Sequence, residues 1–321
     1  MPNAGNERTR MAEAESLTLK QLRYLLALDE VNHFRRAAEI CGISQPSLTT
    51  QIQSIEEVLG VHLVERSRSG VSFTPTGREV AVRARRIMDE VQNLVDFTAG
   101  AQRGLVGTIR LGSKATLGPY LLPHVVARLH KEYPDLNLYV RESTPRELEY
   151  ELTRGIHDLI LAQLPVTGAE LVTERLFREP LYLALATDHP LAEHDALDPS
   201  DLKGLEVLSL NPQFHLHQQI IDLCKDFGAV PVRDYEGTSL DALRLMVGMG
   251  MGAAFLPALY ARTEIPNRGE VVVKRIKGKV INRSVGLVWR KSAGKAETYR
   301  MIAQVIRDVI GKKFDDIIVE G

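Results

Sequence analysis

Three side chains with ligating or nucleophilic atoms stand close together in the second half of this 321-residue chain: His215, His217 and Cys224. Three kinds of chemistry fit them. Cys224 shares its segment with Ile220, Ile221 and Phe227 and suits a small buried hydrophobe on an amphipathic helix. A His-x-His pair could begin a metal site, but both rings fall on one side only in an extended loop, and no third or fourth ligand follows at convincing spacing. In the remaining reading, Phe214, His215, His217 and Gln218 lie between a strand end and a helix start. There an imidazole both donates and accepts hydrogen bonds at neutral pH and can contact an organic effector. A second cluster, Ser113, Lys114, Ala115 and Thr116, follows a strand. Its backbone donors, hydroxyl and ammonium suit a carboxylate or another anion, with a solvated surface charge as the plain alternative for Lys114. Leu164 and Pro165 follow another strand, and Thr238 with Ser239 starts a helix facing the same gap, where capping alone would also explain them.

Catalysis is not predicted. Serine, histidine and aspartate are all present, yet there is no Gly-x-Ser-x-Gly elbow, Walker loop or His-Glu-x-x-His motif. The run Gly248-Met249-Gly250-Met251-Gly252 lacks the preceding strand and the spacing of a nucleotide loop and is read as a helix exit into the strand 253–256. No cofactor and no metal are expected.

A different chemistry is written into residues 34–52. Ala37 and Ala38 let a second helix cross close to the first, and Gly42 supplies a left-handed turn. Ser44 caps the next helix and Pro46 sits in its first turn. Leu48, Ile52, Ile55 and Leu59 fall on one face. Gln45, Ser47, Thr49, Thr50 and Gln51 are left near the other face and the helix start, where side chains reach base edges in a major groove. The following segment, His62 to Gly77, is predicted to form two short strands around a Ser-Gly turn, a wing from which Arg66 and Arg68 project toward phosphates or the minor groove. Double-stranded DNA is the expected partner. The formal net charge is only −1, so the basic footprint must be local, built from Arg35, Arg36, Arg66 and Arg68.

These groups need a scaffold of more than one core, which the length allows. Residues 1–16 are expected to be a disordered lead-in, 17–77 the DNA-binding domain, 78–104 a linker helix and 105–321 an α/β domain. In the linker helix, Val80, Ala84, Ile87, Val91, Leu94 and Thr98 step by four and three, a seam suited to a helix from a second copy. Beyond Gly107 short strands alternate with helices in what reads as a parallel α/β pattern. Strands are expected at 108–112, 136–140, 158–162, 181–186, 207–210, 253–256 and 284–290, and helices at 123–131, 147–153, 217–227, 239–248 and 296–310. Two subdomains, about 107–178 with 283–314 and about 179–282, would enclose a cleft. Two cysteines do not make a disulfide scaffold, and no apolar run reaches membrane-span length or forms a signal peptide core, so a cytoplasmic protein without membrane contact is expected.

From Leu19 to Gly77 the chain resembles the winged helix-turn-helix of LysR-type transcriptional regulators. The Ala-Ala pair, the Ser-Gln-Pro-Ser helix start, the Leu-Gly before the wing and the Phe-Thr-Pro-Thr-Gly exit all match. At Gln53 many members carry a basic residue. The second half resembles the family's effector domain, itself similar to periplasmic solute-binding proteins. The resemblance implies a regulator that dimerises through its linker helix and assembles as a dimer of dimers. His33 to Ala38, Gly118 to His124, Thr238-Ser239-Leu240 and Ser284 to Val288 are most similar to the peroxide-sensing, OxyR-like branch. That branch uses two cysteines, one attacking peroxide and the other resolving the sulfenic acid. The resemblance puts Cys224 at the resolving position and His215 at the attacking one. Imidazole forms no sulfenic acid, so the expected signal is a small molecule, with a redox role for Cys224 alone as the alternative.

Overall fold

The computed structural model describes residues 17–67, 70–100, 105, 107–265 and 269–320. The expected lead-in, residues 1–16, lies outside them. The chain divides into two compact units, Met1–Ala101 and Gln102–Gly321.

In the first unit, Thr18 and Gln21 form a reciprocal cap at the start of α1 (Leu19–Val31). Helix α2 (Phe34–Cys41) ends at Gly42, whose φ of 68° is the left-handed conformation inferred from the sequence. Ser44 caps α3 (Gln45–Leu59) by accepting the Ser47 N–H at 3.3 Å. Ala37 and Ala38 are buried, which is how α2 and α3 pack at close range, and Leu48, Ile52 and Ile55 fill the core beneath them. Leu59, the last residue of α3, is exposed instead, because the helix ends before that turn meets the core. Strands β1 (Val64–Ser67) and β2 (Gly70–Phe73) pair antiparallel as a wing.

Helix α4 (Pro75–Gly100) begins one residue before the expected Thr76, because Thr74 is the cap, its hydroxyl accepting the Gly77 N–H at 2.8 Å. Its first turns serve its own domain. Ala81 and Ala84 are buried in the winged-helix core, Val80 packs against that core, and Arg85 pairs with Asp29 of α1 at 3.2 Å. Val80 and Ala84 therefore leave the predicted seam, since this end of the helix packs directly against α1. Farther along, Ile87 and Leu94 are 44% and 66% exposed. Nothing is described for the side chain of Thr98.

In the second unit, β3 (Gly107–Ser113), α5 (Gly118–Glu132), β4 (Leu136–Glu142), α6 (Pro145–Thr153) and β5 (Leu159–Gln163) precede a long strand, β6 (Leu171–Ala186). Then come β7 (Ala196–Leu197), β8 (Glu206–Leu210), α7 (His215–Phe227), β9 (Val230–Gly237), α8 (Leu240–Gly248), β10 (Ala253–Pro257) and α9 (Ala258–Glu264). The chain returns through β11 (Val271–Ile276) and β12 (Asn282–Arg290) and ends with α10 (Ala296–Lys313) and β13 (Ile318–Val319). The sheet order is β4-β3-β5-β12-β6-β10-β8-β9. It is mixed rather than parallel. Strands β4, β3 and β5 run parallel at one end and β10, β8 and β9 at the other, but β6 and β12 are antiparallel to each other and to their other neighbours on this path. They carry the chain across in opposite directions. Helix α5 starts at Gly118, with Pro123 inside it rather than at its start. Among the described residues no helix is long and apolar enough to cross a membrane.

Gly77 faces a tight constraint, because a Cβ there would lie 2.0 Å from the Leu63 carbonyl oxygen. Backbone has nowhere to yield. Gly77→Ala is expected to destabilise the first unit by about 3 kcal/mol, near the top of the usual overpacking range. Urea unfolding followed by circular dichroism checks this, and an unchanged midpoint would contradict it.

Candidate functional site

Each unit carries its own candidate site. In the first, α3 presents Ser44, Gln45, Pro46, Ser47 and Thr50 to solvent, with Thr49 and Gln51 half-buried. The Ser44 and Ser47 hydroxyls are 2.8 Å apart, and the Thr50 hydroxyl donates to the Pro46 carbonyl at 3.2 Å. Gln45 is left with an uncommitted amide at the exposed helix start, a suitable place for reading base edges. Arg35 and Arg36 are exposed on α2, where Arg35 also pairs with Glu39 at 3.3 Å, an exposed contact of little energetic weight. The Arg66 backbone pairs with Val71 in the wing. Its side chain, and Arg68 altogether, lie outside the described residues.

In the second unit a groove of about 550 Å³ runs along α7, within the size range of small-molecule sites. Leu164, Pro165, His215 and Gln218, four of the effector candidates, line it. Gln163, Gln219, Asn282, Arg283 and Ser284 line it as well, together with two carboxylates, Asp222 and Asp226, which pair with Lys225 and Lys279. The Gln163 side-chain amide donates to Gln219 Oε1 at 3.1 Å, and the Gln219 amide donates to the Asn282 carbonyl at 2.8 Å. These amides join the end of β5, the face of α7 and the start of β12.

Behind His215 lies Lys114, only 3% exposed. Its Nζ is 3.3 Å from His215 Nδ1, and the same Nδ1 is 3.3 Å from the Gln163 carbonyl oxygen. One nitrogen cannot accept from an ammonium and donate to a carbonyl at once, so the proton has two placements here. Burial pushes the Lys114 amine down to about 8, Arg283 adding to the effect and Glu149 opposing it. Burial, and then the Lys114 charge, also lowers His215. Both groups are driven toward neutrality, and an anion beside them would reverse that.

Arg283 anchors the groove floor. It is buried and donates through Nε to Glu179 at 2.7 Å, through Nη1 to the Thr116 hydroxyl at 3.1 Å and through Nη2 to the Thr116 carbonyl at 2.8 Å. Glu179, fully buried, accepts the Leu259 N–H on its other oxygen at 2.7 Å. Thr116 is thus held by an arginine. Ser113 is buried and Ala115 exposed in the same loop.

Other candidates point elsewhere. His217 Nδ1 is 2.7 Å from the Leu210 carbonyl and 3.2 Å from the Ser209 hydroxyl, so this ring faces β8. Phe214 is buried at the N-terminus of α7. Thr238 is exposed, and Ser239 caps α8 by accepting the Ala242 N–H at 3.1 Å. Neither lines the groove. Cys224 is 1% exposed, and burial raises its thiol to about 11, which suppresses the thiolate at neutral pH. The sequence inspection missed Arg283 and Glu179. The available signal was a charged residue at the head of an apolar run, as in Asn282-Arg283-Ser284-Val285.

Both units match known protein domains. Residues 19–78 match the model described as "Bacterial regulatory helix-turn-helix protein, lysR family", and residues 102–310 match the LysR substrate binding domain. The chain is 35% identical to the DNA-binding transcriptional dual regulator OxyR of Escherichia coli over 305 residues, covering 95% of this chain and 100% of that one. It is 32% identical to a hydrogen peroxide-inducible genes activator of Haemophilus influenzae, covering 94% and 100%. Among solved structures, a full-length OxyR from Pseudomonas aeruginosa with a cysteine-to-aspartate substitution superposes with a TM-score of 0.77 at 31% identity, covering 91% and 95%.

The buried amine has a measurable consequence. A lysine whose folded pKa lies near 8, below its unfolded value near 10.5, penalises the folded state while charged. The penalty is constant below about pH 8 and fades as pH rises toward 10.5. Lys114→Met is therefore expected to be more stable than wild type by about 1–3 kcal/mol at pH 7.5. The difference should shrink between pH 8 and 10. Paired denaturation curves across that range check it, and a pH-independent difference would contradict it.

Proposed function

The chain belongs to the lysR family of bacterial transcriptional regulators and is OxyR-like along its length, and we propose that its DNA binding is set by a small anion held in the groove beside α7, not by an internal disulfide. The observation that carries this reading is the contact between His215 and the buried Lys114, at the position where the resemblance puts the attacking thiol of the peroxide-sensing branch. Imidazole and amine offer hydrogen bonds and charge, and neither can pass through a sulfenic acid to a disulfide. Arg283 already has Glu179 as its counter-ion, whereas Lys114 has an imidazole. A carboxylate or similar anion entering the groove would supply the missing negative charge, with Ser113, Ala115 and Thr116 as the loop beside it and Leu164, Pro165, Gln218 and Gln219 as its walls.

The relatives' names speak of peroxide induction, and a one-cysteine redox response is the competing reading. Cys224 is poorly suited to it, since burial both excludes oxidant and keeps the thiol protonated. On the DNA side, Gln45, Ser47, Thr49, Thr50 and Gln51 read the major groove from α3, with Ser44 and Pro46 setting the helix start. Arg35, Arg36, Arg66 and Arg68 bind the backbone. The exposed apolar stretch of α4, Ile87 and Leu94, pairs with a second copy, and such dimers associate in twos.

Footprinting with and without hydrogen peroxide tests the signal. Wild type and Cys224→Ser are expected to give the same footprint in both conditions, while His215→Ala shifts the footprint obtained with a cell's acidic metabolite extract. A peroxide-dependent footprint that vanishes in Cys224→Ser would overturn the reading in favour of the redox one.

Assembly is tested separately. Leu94→Asp puts a charge into an apolar contact, where it must be desolvated without a partner. Sedimentation velocity is expected to show smaller species than wild type, with at least tenfold weaker operator binding. An unchanged assembly would remove α4 as the contact.

A further inference from the structure

A second cavity, of about 360 Å³, shares no lining residue with the groove. It opens where β6 and the segment leading into β12 pass between the halves of the second unit. Leu181, Ile276 and Ile281 give it an apolar lining, and Val280 stands at its edge, 77% exposed.

One cation on the polar side of the cavity stands without an ion pair among the described residues. Asp316 accepts from the Tyr182 hydroxyl on one oxygen, while the other lies 2.7 Å from Arg262 Nη2 as an ion pair without hydrogen-bond geometry. Lys279 turns to Asp226, outside the cavity, at 3.3 Å. Arg275 has no carboxylate within ion-pair distance among the described residues. Its Nη2 donates to the Tyr182 hydroxyl oxygen at 3.3 Å, and its guanidinium carbon lies 5.5 Å from the centre of the Tyr182 ring. With Lys279 paired outside, the lining cations Arg262 and Arg275 equal in number the lining carboxylates Asp315 and Asp316, and Arg275 is the one of the two cations without an ion pair among the described residues. A guanidinium held against an aromatic ring keeps most of its donors free and presents them as a planar fork, the geometry that matches a carboxylate.

We propose that this cavity is a second ligand site, distinct from the groove beside α7, which takes a small planar carboxylate with its acid group on Arg275 and its ring against Leu181, Ile276 and Ile281. The volume suits one or two fused rings. The acid supplies the counter-charge that Arg275 lacks, and the ring covers the exposed Val280 side chain while resting on Leu181, Ile276 and Ile281, which are already largely buried. The same body without the acid group loses the first of these contributions.

The test is calorimetric titration of the full chain with 1-naphthoate and, separately, with 1-naphthalenemethanol as the uncharged probe. Naphthoate is expected to bind saturably and at least tenfold more tightly than the alcohol. Arg275→Gln should weaken naphthoate about tenfold. Val280→Glu, at an exposed position that does not threaten folding, should weaken it similarly through like-charge repulsion. His215→Ala should leave it unchanged. Equal affinity for the two probes, no saturable binding of naphthoate, or wild-type binding by both Arg275→Gln and Val280→Glu would overturn the proposal. Loss of binding in His215→Ala would also overturn it by moving the acid to the groove, so this site and the proposed function fail by different results.

Discussion

A guanidinium taken out of water needs its counter-ion at the same place, and in this chain that requirement falls at the crossing strands. Arg283 and Glu179 are opposed in the β12–β6 register, both fully shielded, and joined at 2.7 Å. Each then binds a different part of the fold. Arg283 holds Thr116, in the loop that follows β3, and Glu179 holds the Leu259 amide at the start of α9. Burial, with a smaller push from the Asp316 charge, raises the Glu179 carboxyl, and Arg283 with the Leu259 amide opposes that rise. Such a pair adds little net stability over an apolar replacement, but breaking it by removing one member costs about 3–5 kcal/mol. Its value is specificity, since it fixes where β3, β6, β12 and α9 meet.

The groove depends on that arrangement. With Thr116 fixed by Arg283, the preceding residue pair brings Lys114 behind His215, and the amide chain Gln163–Gln219–Asn282 closes the wall. A charged amine in such a place has a cost that neither the imidazole nor the distant field of Glu149 removes. That residual cost is what an anionic ligand would relieve, and it distinguishes this groove from one built around a reactive thiol. Cys224 sits on the same helix as His215 and belongs to the hydrophobic core.

The first unit was legible in the sequence because its determinants are local. Ala37, Ala38, Gly42 and Ser44 act within one or two turns, and each does in the structure what its chemistry dictates. The second unit was legible only in part. The first half of β6 was hidden because Thr173, Glu174, Arg175, Arg178 and Glu179 interrupt the apolar pattern. Four of them are used in ion pairs, Glu174 with Arg307, Glu179 with Arg283, and Arg175 and Arg178 with Glu320. The mixed direction of the sheet was hidden for the same reason, since a strand that crosses between halves was read as a short one. The Lys114–His215 contact spans 101 residues and the Arg283–Glu179 pair 104. No local pattern reports a contact of that range, so the sequence leaves Lys114 open between an anion ligand and a solvated surface charge.

The central claim is that the signal is read without thiol chemistry, and the state of Cys224 in the folded protein tests it most directly. Native chain treated with hydrogen peroxide, quenched with a thiol-trapping reagent under denaturing conditions and measured by intact mass should retain Cys224 as a free thiol at peroxide levels that oxidise an exposed cysteine. Recovery of Cys224 as a sulfenic acid or a mixed disulfide from the folded protein would contradict the account.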